Sequence, residues 1–135
     1  MIKFRSLIKF IIGGYILPLL LSCNHKPDYT FHLIKVDSIQ VPTPLSANVP
    51  FEIKFFGTIA GDGCHSFYEF KVNQVNNDLL IEAWEKADAK ALLCPTVMVY
   101  LTGHNLTTQI QSAGDYNIKI KQPDNSYLEK QVRVN

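Results

Sequence analysis

The chain has 135 residues, 47% of them hydrophobic and 19% charged, with a formal net charge of +1. That length suits a single ordinary domain behind a short leader. The balanced charge, without a polybasic run, argues against nucleic acid as a partner.

Lys3, Arg5 and Lys9 precede an apolar run over residues 10–21. A basic start, a short apolar core and small residues before a cleavage point are the parts of an export signal. The rival reading is an uncleaved membrane helix. The run has only 12 residues, whereas a spanning helix needs about 20. Gly13, Gly14 and Pro18 weaken such a helix further.

Leu20-Leu21-Ser22-Cys23 resembles the lipobox of bacterial lipoproteins. The resemblance implies cleavage before Cys23, thioether lipidation of that cysteine and acylation, palmitate-like, of the new amino terminus. Membrane lipid, reached through N-terminal acyl chains, is then the first expected partner. One chain binds only marginally, and two or three hold stably. Asn24 in place of Asp, and the lack of an acidic cluster after Cys23, point to the outer membrane facing the periplasm.

These readings divide the chain into a signal peptide (1–22), a polar tether (23–30) and a folded domain (31–135). Removing 22 residues from 135 leaves 113, and the signal takes three of the 13 basic residues and none of the 12 acidic ones, a net of −2. With Cys23 assigned to lipid, Cys64 and Cys94 remain. An even pair in an oxidising compartment reads as a disulfide.

Period-two alternation dominates the domain. A first strand is expected within residues 31–41. Phe51, Ile53, Phe55 and Ile59 alternate with Glu52, Lys54 and Thr58; Tyr68, Phe70 and Val72 alternate with Glu69 and Lys71. Val97, Val99 and Leu101, then Tyr116, Ile118 and Ile120, then Leu128, Val132 and Val134 repeat the pattern. Such alternation marks half-buried antiparallel strands. Turn clusters separate them, among them Gly61-Asp62-Gly63, Asn76-Asn77-Asp78, Gly103-His104-Asn105 and Pro123-Asp124-Asn125-Ser126. About seven strands with frequent turns predict an all-β sandwich or barrel.

Residues 79–93 resist this pattern. Leu80, Ala83, Trp84, Ala87 and Ala91 lie at helical spacing, while Leu79, Ile81 and Ala83 alternate. The reading adopted is a strand from about Leu79 to Glu85, then a loop or single helical turn reaching Cys94.

Gly63-Cys64-His65-Ser66-Phe67, Cys94-Pro95 and Gly114-Asp115-Tyr116-Asn117-Ile118 resemble small exported immunoglobulin-like domains of bacterial lipoproteins. The resemblance implies an immunoglobulin-like antiparallel β-sandwich and supports a Cys64–Cys94 bridge. It carries over no catalytic residue and no cofactor.

Candidate chemistry is sparse. Cys64, His65, Cys94 and His104 supply zinc-ligand types, but the short paired spacing of structural zinc sites is missing. A Cys–His nucleophile would also need an oxyanion hole, and no serine sits in a G-x-S-x-G elbow. By alternation, Phe51, Phe55, Phe56, Phe67, Tyr68 and Phe70 are mostly core. Phe56, Phe67, Trp84 and Tyr100 fall on opposite strand faces, where they form a candidate exposed patch. Sandwiches display function on end loops, which singles out 61–66 and 103–108, with Asp62, His65, His104 and Asn105 as binding candidates. The expectation is a non-catalytic, lipid-anchored protein that binds or scaffolds another cell-envelope component. The alternatives are a small hydrolase or metal-dependent enzyme using His65 or His104, and an inhibitor-like lipoprotein.

Overall fold

The computed structural model describes residues 28–135. The lipobox with Cys23, the signal peptide and most of the tether lie outside the described residues.

Ten strands and no helix are found among the described residues: β1 (Tyr29–Leu33), β2 (Ser38–Gln40), β3 (Phe51–Phe56), β4 (Thr58–Ala60), β5 (His65–Val75), β6 (Asp78–Asp88), β7 (Val99–Tyr100), β8 (Asn105–Thr108), β9 (Gly114–Lys121) and β10 (Tyr127–Val134). The number exceeds seven because two expected strands are interrupted and because residues 105–108, expected as part of an end loop, form β8. The 31–41 stretch breaks between β1 and β2, and the 51–60 stretch breaks at Gly57. At Gly57 an added Cβ would lie 2.7 Å from the Lys35 carbonyl oxygen. Only glycine permits that backbone approach.

β6 organises the larger sheet. Its eleven residues alternate without a break, the odd-numbered ones buried and the even-numbered ones half-buried. β5 pairs along one edge, antiparallel through a two-residue turn. The other edge is shared: β1 pairs antiparallel with Trp84 to Asp88, and β9 runs parallel beside Asp78 to Ile81. β10 completes this sheet on β9. The parallel contact follows from the hairpin tip. Asn76 adopts a left-handed φ of 53°, which asparagine tolerates. Asn77 then accepts from the Asn117 N–H at 2.9 Å and donates from its side chain to the Asp115 carbonyl at 2.8 Å. The tip is thereby pinned to the start of β9.

β2, β3 and β8 form the opposing sheet, and β4 with β7 forms a separate two-stranded sheet. The two faces meet in one core. Ile53 and Phe55 come from β3, Leu79, Ile81 and Ala83 from β6, Ile118 and Ile120 from β9, and Val132 and Val134 from β10. This is an all-β sandwich. Tyr116, near the start of β9, donates its hydroxyl to the Ser112 carbonyl at 3.1 Å, the back-bonded tyrosine corner found in immunoglobulin-like sandwiches.

The loop or helical turn expected after Glu85 is replaced by strand through Asp88. Helix propensity in 85–91 is weak in comparison with two flanking ladders. His65, Ser66 and Phe67 pair on one side, and Tyr29 to His32 on the other. A helix over this stretch would bond its own backbone internally and leave the facing edges of β1 and β5 without a ladder partner.

Candidate functional site

Alternation across β5 is not continuous, and this decides where its aromatics go. The register slips between Phe67 and Glu69, a β-bulge opposite Glu85 and Trp84. A bulge places two residues against one and shifts the side-chain parity. Phe67 and Phe70 therefore both reach the core side, their ring centroids 4.7 Å apart, and Phe70 lies 4.4 Å from Phe55. Tyr68 is turned outward at 46% exposure. Its expected core position is corrected accordingly, and so is the expected outward position of Phe67, which packs against the core.

On the outer face Tyr68 meets Phe31 of β1, centroids 4.7 Å apart and tilted by 55°. Trp84, central on β6, completes a shallow aromatic shelf that also includes Glu69 and Lys71. The Lys71 ammonium sits 4.8 Å above the Trp84 ring, and the indole N–H donates to Glu82 Oε2 at 3.0 Å. Phe31 and Tyr68 are each 46% exposed, although cross-strand neighbours surround them. The expected patch of Phe56, Phe67, Trp84 and Tyr100 is not assembled. Of those four, Trp84 alone joins the shelf, and Tyr100 lies on β7, outside the larger sheet. Sequence could not supply Phe31 and Tyr68 together, because their contact depends on the bulge and on β1 joining β6.

The end-loop candidates behave differently. Cys64 and Cys94 are joined in a disulfide across 30 residues. Asp62 accepts from the Cys64 N–H at 3.0 Å, closing an Asx turn. His65 opens β5 between two carboxylates: Nδ1 lies 3.2 Å from Glu85 Oε2, and Nε2 lies 3.8 Å from Asp62 Oδ2. Glu85 also lies 3.5 Å from Nδ1 of His32. Sequence reasoning missed Glu85 and His32; a carboxylate at the inward parity of a strand was the available signal. Glu85 is only 8% exposed, and its contacts with two imidazoles compensate for its burial.

His104 stacks on Phe67, centroids 4.3 Å apart, and Asn105 opens β8 opposite Lys54. Asp62 and His65 thus come together; His104 reaches across to Phe67 of β5, and Asn105 belongs to the opposing sheet. Both His65 nitrogens face carboxylates, so neither is aimed at a nucleophile as a general base would be. Among the described residues, one group of three metal-capable side chains gathers: Asp62, Cys64 and Cys94. Its two sulfurs are bonded to each other, which leaves a single carboxylate and not a cation's donor set. No protein-family model, no curated protein and no solved structure matches this chain.

Proposed function

We propose that this chain is a non-catalytic, lipid-anchored protein of the cell envelope, attached through Cys23 and directed to the outer membrane facing the periplasm. Its β-sandwich binds or scaffolds another envelope component. The observation that carries the binding reading is the shelf of Phe31, Tyr68 and Trp84 on the outer face of the larger sheet. Three aromatics there serve no core, and Lys71, Glu69 and Glu82 frame them with both signs of charge. Aromatic anchors ringed by polar groups are the composition of recognition surfaces. On this reading the binding surface is a sheet face and not the end loops.

The experiment is recovery of partners from solubilised envelopes with the tagged full-length protein, beside a Phe31→Ala/Tyr68→Ala variant. A component retained by the wild type and lost by the variant is expected. Equal recovery by both would remove the shelf from the binding surface.

A further inference from the structure

Leu92 and Leu93 are 97% and 89% exposed, the most open of the large apolar side chains among the described residues. They form the apex of a loop between β6 and β7. Val97 and Met98, further along it, are about half exposed (51% and 50%). A mobile loop could fold such side chains back onto the protein, but this one is tied on both flanks. The Asp88 N–H donates to the Cys64 carbonyl at 3.1 Å, and the Gly63 N–H donates to the Pro95 carbonyl at 2.8 Å. Cys94 itself is bonded to Cys64. The two leucines are therefore held in solvent, where exposed apolar surface signals an interaction.

The position of the N-terminal chain identifies the partner. Asp28, the first described residue, accepts from the Ala89 N–H at 2.8 Å, and its carboxylate lies 3.4 Å from the Lys90 ammonium. The chain leading back to Cys23 thus leaves the domain beside the leucine loop. Four residues lie between Cys23 and Asp28, so the five steps reach about 18 Å at most. An anchor on so short a tether confines the loop to the membrane surface at high effective concentration.

We infer that Leu92 and Leu93 insert into the bilayer interface beside the acyl chains of Cys23, forming a second, protein-borne membrane contact that fixes the orientation of the domain. This rests on the lipid-anchor reading of Cys23. The neighbouring Lys90 suits the headgroup layer, where lysine keeps its ammonium in water and its stem along apolar surface.

The test uses the full chain, processed in a lipoprotein-exporting cell and reconstituted into phosphatidylethanolamine–phosphatidylglycerol vesicles containing brominated acyl chains. Leu93→Trp is read in a Trp84→Phe background. Val75→Trp in the same background is the reference, since Val75 lies at the other end of the β5–β6 hairpin, about 30 Å away along the strands. Quenching at least threefold greater at position 93 than at position 75 is expected, and adding Leu92→Asp should abolish the difference. Mass spectrometry of the same sample reads the lipid on Cys23. Lipid present with equal quenching at the two positions would overturn loop insertion alone, whereas absence of lipid would overturn both readings. Blue-shifted indole emission from the Leu93→Trp variant without bromolipid quenching marks a protein covering the loop, and it too would overturn the inference.

Discussion

The Gln122 side chain stands in for a missing β-strand against Val36. Its Oε1 accepts from the Val36 N–H at 3.1 Å, and its Nε2 donates to the Val36 carbonyl at 3.3 Å. Val36 lies in the gap between β1 and β2, outside any ladder. Both residues are buried, so these bonds replace solvent that cannot reach them.

Gln122→Met keeps the volume and strands both Val36 groups. Each orphaned buried polar group costs about 1–3 kcal/mol, so for the two a loss of about 2–6 kcal/mol in urea unfolding is expected. A change under about 0.5 kcal/mol would show that the pair contributes nothing net.

The Cys64–Cys94 bridge closes a loop across 30 residues. In the chain-entropy model such a loop stabilises by about 3–4 kcal/mol. The double variant Cys64→Ala/Cys94→Ala should lose about that much, and proteolysis after Lys90 should accelerate as the loop is freed. Alkylation of the unreduced wild-type domain should modify neither residue; two labelled thiols would refute the bridge.

Stability should fall at both pH extremes through Asp78 and Lys119, which join β6 to β9 at 2.8 Å. The hydrogen bond from Lys119, aided by Asn117, holds the Asp78 carboxyl below its ordinary value. Its bond with Asp78 raises the Lys119 ammonium. The aspartate contribution is complete above the unfolded value of about 3.9 and is lost as pH falls through the depressed folded value. The lysine contribution is complete below about 10.4 and is lost as pH rises through the raised folded value. Asp78→Asn should flatten both limbs in melting curves across pH. Unchanged limbs would assign the acid loss elsewhere, with Asp124 next, since Ser126 lowers its carboxyl by hydrogen bonding.

Phe31→Ala/Tyr68→Ala should cost little stability, about 1 kcal/mol, because both rings are half exposed and pair mainly with each other. A thermal melt separates this from the loss of about 3–5 kcal/mol expected for Phe55→Ala in the closed core. A shelf variant as unstable as Phe55→Ala would make the shelf a packing element.

Alternation by itself pointed to an all-β sandwich or barrel and to the core residues of β3, β6, β9 and β10, where inward parity survives unbroken. Val72 and Val97, expected inward, are 40% and 51% exposed. Asx and glycine clusters located the turns, and two cysteines allowed one pairing. Three things only the tertiary structure decided. The bulge at Phe67 and Glu69 reversed the parity of β5, which one-dimensional periodicity has no means to register. The joining of β1 to β6 brought Phe31 onto Tyr68, a contact between strands far apart in the chain. The burial of Glu85 among two histidines, and of Gln122 against Val36, depended on partners that strand pairing and chain crossing supply. Local pattern reports which face of a strand is apolar; which strands meet, and in what register, is settled by the packing of the whole core.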